Sequence, residues 1–140
     1  LHTEPGERII AIEGTPKTPT VYFDGIEGLL EIKGRSIPEN SIEFYKPLVD
    51  WIDAYTQKPS RETILHLRMD ELDAASNKAL GFLLSKLESL HKSGASRVLV
   101  VWYYQQNDAE MLEAGEDYQA IISIPLKLVE VTHSDWRSNR

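Results

Sequence analysis

A chain of 140 residues with no cysteine, a net charge of −7 and a sequence pI of about 5.1 has the size of one domain, large enough to bury a core without disulfides or metal. The missing thiols exclude disulfide frameworks, thiolate catalysis and cysteine zinc sites. The acidic balance argues against nucleic acid and membrane partners, since phosphates and anionic lipids both demand a basic surface. No apolar run is long enough to span a bilayer, so a single cytoplasmic domain over residues 1–140 is expected.

Residues 1–17 read as a flexible N-terminal segment rich in proline and glycine, whose one apolar run, Ile9–Ile12, is either a strand or a docked arm. Thr20–Phe23 and Leu29–Ile32 read as strands, joined through Asp24–Gly28 as a hairpin, with Gly34 ending the second. A polar loop Arg35–Asn40 follows. Asn40 or Ser41 then caps a helix to about Tyr55, with Phe44, Leu48, Trp51 or Ile52, and Tyr55 on its buried face. Pro47 is tolerable only near the first turn and is a candidate kink.

Thr63–Met69 alternates as a strand. Asp73 or Ser76 caps a second helix to about Lys92, with an apolar stripe of Ala79, Leu80, Leu83, Leu84, Leu87 and Leu90, closed by Gly94. Arg97–Tyr104 is the most strand-like segment, an apolar run suited to a central strand covered on both faces. An acidic third helix spans about Asp108 to Ile121, with Gly115 as a weak point. Leu126–Val131 is the last strand, and 132–140 a polar tail in which Trp136 is the one docking candidate. The order is an α/β fold: a mixed sheet with an N-terminal hairpin and about three helices packed on its faces.

Catalytic signatures are lacking. His2, His66, His91 and His133 show no metal-ligand spacing, and the chain has no phosphate-binding glycine loop and no nucleophile elbow. No metal, cofactor or catalytic residue is therefore expected. His66 sits in mid-strand, where a hydrogen-bonded structural role outweighs that of a catalytic base; a small enzyme using His66 with the acidic helix is the alternative from another class. Glu110, Glu113, Glu116 and Asp117 suit a solvated face, a docking face for a basic partner, or a cation site. Two polar strand-to-helix segments stand out: Arg35, Ser36, Ile37, Pro38, Glu39, Asn40 and Ser41, and Leu72 to Lys78.

These segments carry a resemblance. Gly34–Ser41 resembles the G-x-S-x-P-E-N-S loop of the SiaC-type regulatory phosphoproteins. The likeness continues through Phe44, Tyr45 and Asp50-Trp51-Ile52. Leu72–Ala79 resembles that family's L-N-T-S-S-x-K-A motif, Trp102-Tyr103-Tyr104 its W-Y-Y strand end, and Leu112–Asp117 continues the pattern, so that residues 18–131 are covered. The resemblance implies a STAS-like architecture related to anti-sigma-factor antagonists, and a non-enzymatic partner switch. In such a switch a kinase phosphorylates a threonine at the start of the second helix and a phosphatase reverses it. The unphosphorylated form binds and activates a diguanylate cyclase, raising cyclic di-GMP and favouring biofilm. An anti-sigma-factor antagonist is the nearest alternative.

The acceptor threonine maps onto Ala74, its neighbour onto Ala75 and the preceding asparagine onto Asp73, which leaves Ser76 as the motif's hydroxyl beside Asn77 and Lys78. Three readings stand: a Thr→Ala replacement that mimics the unphosphorylated state, a naturally unphosphorylated relative, or transfer of the acceptor role to Ser76. Asp73–Lys78 is expected to be the modification and docking locus, and Arg35, Ser36, Pro38, Glu39, Asn40 and Ser41 a partner-binding loop.

Overall fold

A computed structural model describes residues 8–138. The strands are β1 (Ile9–Ile12), β2 (Thr20–Asp24), β3 (Leu29–Ser36), β4 (Glu62–Leu72), β5 (Arg97–Gln105) and β6 (Leu126–Val131), and the helices α1 (Ser41–Tyr55), α2 (Ala74–Ser93), α3 (Ala109–Ile121) and α4 (His133–Ser138). The six strands lie in one mixed sheet in chain order, β1 to β6. β1, β2 and β3 are antiparallel neighbours, and β3 to β6 are parallel.

That order decides where the helices go. A strand–helix–strand crossover is almost always right-handed, so when successive parallel strands advance in one direction their helices land on the same side. α1, α2 and α3 accordingly pack against one face, on the rows Phe23–Leu30–Leu65–Val100–Leu126 and Val21–Ile32–Leu67–Trp102, all buried. The three expected helices thus share one face of the sheet. The other face, with Tyr22, Leu29, His66 and Tyr103, carries only α4 at one end, where Trp136 is 2% exposed. Its indole Nε1 donates to Asp70 at 2.6 Å and its ring lies 4.3 Å from the Arg68 guanidinium carbon.

The two ends of the chain also differ from expectation. Of the two alternatives for Ile9–Ile12 the strand is the one formed, an edge strand paired with Val21–Asp24, so only the reading of residues 8–17 as flexible is corrected; residues 1–7 lie outside the described residues. The segment read as a polar tail forms α4, since Trp136 and the Arg68 guanidinium, which donates to the Trp136 carbonyl at 2.8 Å, tie a short helix down; 139–140 lie outside the described residues. The strand of Arg97–Gln105 stands one in from the β6 edge and is flanked on both faces around Val100, Val101 and Trp102.

β3 runs through Gly34 rather than ending there. Gly34 has φ +113°, and the register with β4 shifts between Gly34 and Arg35, so that Arg35 opposes Glu71 and Ser36 opposes Leu72. The extra residue in β4, Asp70, turns the following side chains over and brings Leu72 to the helix face. Arg35 and Ser36 are therefore strand, and the loop into α1 is only Ile37–Asn40.

α1 begins at an Asn40 cap, whose Oδ1 accepts from the Glu43 amide at 3.0 Å. It passes Pro47 unbroken: the ring lies on the exposed side, and the carbonyl deprived of a donor is that of exposed Glu43. Its buried face comprises Tyr45, Leu48, Trp51, Ile52 and Tyr55, with Phe44 half-buried. Two buried hydroxyl clusters fasten its ends. Tyr45 joins Ser36 and Ser76 at one end. At the other, the Tyr55 hydroxyl lies 2.7 Å from Thr63 Oγ1, itself 2.6 Å from Ser96 Oγ. α2 is capped by Asp73 and ends at left-handed Gly94.

Candidate functional site

The two polar segments meet because both are strand-to-helix turns at the C-terminal ends of adjacent parallel strands, the edge where α/β sheets gather their sites. The Asp73 amide donates to the Ser36 carbonyl at 3.0 Å and joins them directly. Beneath, Ser36 Oγ donates to Ser76 Oγ at 2.7 Å and lies 2.6 Å from the Tyr45 hydroxyl. Ser36 has a single proton, so Tyr45 is the donor to Ser36. Burial pushes the Tyr45 phenol above its ordinary pKa. Asp73 Oδ1 accepts from the Ser76 amide at 2.8 Å, the capping bond that opens α2.

This network sorts the candidate residues. Ser36 and Ser76 are fully buried at 0% exposure, so Ser76 Oγ is closed off from solvent in this fold. Ala74, Ala75 and Lys78 are exposed on the first turns of α2, with Asn77 half-buried. In the loop, Pro38 is half-buried, Glu39 and Asn40 are exposed, and Glu39 pairs loosely with Lys17 at 3.9 Å. Arg35 reaches Glu71 at 3.4 Å across the surface.

The motif sits between two grooves. Between α1 and α2 an apolar groove of about 660 Å³ is lined by Ser41, Ile42, Ala75, Lys78, Ala79 and Phe82 among others. Ile42 is 81% and Phe82 56% exposed, so each leaves a large apolar side chain in water. Between α2 and α3 an acidic groove of about 320 Å³ is lined by Asn77, Glu110, Glu113, Asp117 and Tyr118. Tyr118 closes it, its hydroxyl donating to the Asn77 carbonyl at 2.7 Å. Among the described residues no group of three or more His, Asp or Glu is placed to hold a metal. The grooves escaped sequence reasoning, although Ile42 and Phe82 were a signal: both are apolar and stand off their helix's buried stripe.

Burial pushes the Tyr118 phenol from 10.0 up to about 12. The folded state keeps this proton where the unfolded chain has lost it, so its contribution is whole below pH 10.0 and is lost as pH rises toward about 12. Urea midpoints taken at about pH 8 and about pH 11 should fall in the wild type and fall less in Tyr118→Phe. An equal fall in both would show that Tyr118 does not carry this slope.

His66 lies apart from these grooves, on the opposite face of the sheet. Its Nδ1 is 2.9 Å from the Tyr103 hydroxyl and the two rings stack, in a depression of about 330 Å³ shared with Glu31. The acidic helix α3 packs on the other face, where Gly115 meets Trp102 and Leu128. The arrangement of His66 with the α3 carboxylates is therefore not formed.

Residues 12–131 match the profile of the SiaC family regulatory phosphoproteins. The chain belongs to the SiaC family. A curated but uncharacterised protein of Pseudomonas aeruginosa strain UCBPP-PA14 is 32% identical over 117 residues, covering 84% of this chain and 92% of the relative. Among solved structures, SiaC of Pseudomonas aeruginosa superposes with a TM-score of 0.80 at 31% identity, covering 88% of this chain and 98% of that one. A chain of the crystal structure of the diguanylate cyclase SiaD in complex with its activator SiaC, from the same organism, gives a TM-score of 0.82 at 30% identity, with 87% and 99% covered. The fold of the SiaC family is thus the mixed six-stranded sheet described above.

Proposed function

We propose that this SiaC-family chain is a partner switch that docks on a diguanylate cyclase and raises its activity, and with it cyclic di-GMP and biofilm formation. The carrying observation is the coincidence of one exposed apolar groove, flanked by Ile42 and Phe82, with the exposed side chains of Ala74, Ala75 and Lys78 at its rim. An exposed apolar surface beside a helix start is what a protein partner covers and what a phosphate would spoil, since the group adds about −1.5 to −2 charges. The family's solved complex of a cyclase with its activator supports the choice of partner. In this reading the chain performs no chemistry, works in the cytoplasm, and a separate kinase and phosphatase set its state. Ala74 has no hydroxyl, so at that position the chain stands in the docking-competent form.

The test is to titrate the purified chain into the diguanylate cyclase encoded in the same genome and follow cyclic di-GMP synthesis. Saturable binding with at least about a tenfold rise in rate is expected. Ala74→Thr, phosphorylated by the cognate kinase and ATP, should lose both effects. No binding and no change in rate at about 10 μM chain would remove the cyclase from the proposal.

A further inference from the structure

We infer that Ser41 is a phosphorylation site of this chain, and that a phosphate there closes the α1–α2 groove. The inference rests on the partner-switch reading for its consequence and on the groove itself for its place. Ala74 and Ala75 have no acceptor atom, and Ser76 Oγ is buried and bonded to Ser36. Three hydroxyls remain along the groove: Ser41, Tyr45 and Ser85. The Tyr45 hydroxyl is committed to the buried cluster. Ser85 stands in the middle of α2, where its backbone is locked in helical hydrogen bonds and cannot extend into a kinase cleft.

Ser41 differs on each count. It is the first residue of α1, preceded by the irregular Ile37–Asn40 loop, so the chain around it can be drawn out with the loss of little helix. Ser41 is half-buried and lines the groove, and its hydroxyl has no hydrogen-bond partner among the described residues. Lys78 lines the same groove, and its ammonium has no ion-pair partner among them. A phosphate on Ser41 would meet that cation and bring about −1.5 to −2 charges beside Ile42 and Phe82, where an apolar partner surface has to lose its water.

The step balances as an ordinary kinase transfer. Ser41 Oγ bonds to the γ-phosphorus of ATP as the bridging bond to the β-phosphate breaks. ADP departs and the hydroxyl proton passes to the kinase's base.

Two measurements test the inference. The chain is isolated from the cells that make it and mapped by phosphopeptide mass spectrometry. Phosphate on the peptide containing Ser41 is expected; phosphate found only elsewhere, or none under any growth condition, overturns the assignment. In parallel, the chain carrying phosphoserine at position 41, introduced by codon reassignment, is titrated against the cyclase. Affinity at least about tenfold below that of the unmodified chain is expected, and an affinity within twofold overturns the groove-closing role. If the unmodified chain itself does not bind the cyclase, the partner reading fails, and the phosphopeptide map alone decides Ser41.

Discussion

Glutamate in place of both Ile42 and Phe82 is expected to abolish cyclase docking and leave the fold intact. In the free protein these side chains are 81% and 56% exposed, and substitutions at such positions change stability by no more than about 0.5 kcal/mol. Beneath the proposed partner the same positions would become the desolvated centre of the contact, where losing an aromatic or aliphatic anchor costs about 2–4 kcal/mol and an unpaired carboxylate adds to that. Binding should therefore weaken by about 100-fold or more, as read by calorimetry, while the thermal midpoint stays close to wild type. Phe82→Leu keeps the apolar contact and loses only the stacking of Lys86 over the ring, 4.9 Å away, so it should bind within about tenfold. Full affinity in the double glutamate variant would move the docking surface off this groove.

The second large effect is at Gly115. Helix propensity alone says that Gly115→Ala should stabilise α3 by about 1 kcal/mol. The packing says the reverse. A Cβ at that position would stand 2.6 Å from Trp102 Cδ1 and 2.7 Å from both Trp102 Nε1 and Leu128 Cδ2. Trp102 cannot yield easily, since its Nε1 donates to the Met111 carbonyl at 2.9 Å and its ring is 1% exposed against Tyr118. Overpacking of this kind costs about 1–3 kcal/mol, and contacts this short take the upper end of that range; after the propensity gain of about 1 kcal/mol a net loss near 2 kcal/mol and a midpoint lower by roughly 5–10 °C are expected in a thermal melt. A variant more stable than wild type would mean that α3 rises off the sheet at little cost.

Gly115 also shows where sequence reasoning stops. A glycine in a helical pattern reads as weakness until the indole on which it rests is known, and that contact joins α3 to β5 across a distance no local pattern reports. The parallel strands and α2 were legible because apolar runs and helical periodicity persist over many residues. β1 and α4 were not. Ile9–Ile12 shows no alternation, and α4 is a six-residue helix held by Trp136 on Asp70 and Arg68 rather than by its own propensity. Pairing with Glu71 and Leu72 carried β3 past Gly34, where local rules place a stop. At the site, Asp73–Lys78 and the loop to Ser41 stood out by composition and family pattern. The groove between them did not, because it exists only once α1 and α2 are laid side by side. The burial of Ser76 follows from Ser36 and Tyr45, both remote in the chain.

The two hydroxyl clusters at the ends of α1 have a mechanical consequence. Tyr45 pins one end to β3 and α2, and Tyr55 pins the other to Thr63 and Ser96. A glide of α1 along its axis, or a roll about it, would break bonds at both ends at once and strand several dry hydroxyls, each worth about 1–3 kcal/mol. The helix is riveted like a crossbar. On the partner-switch proposal, a phosphate placed on this rim would therefore have no lever to pull: it would be read where it is written, by the partner that touches it, and the molecule would serve as a rigid token whose face is marked or unmarked.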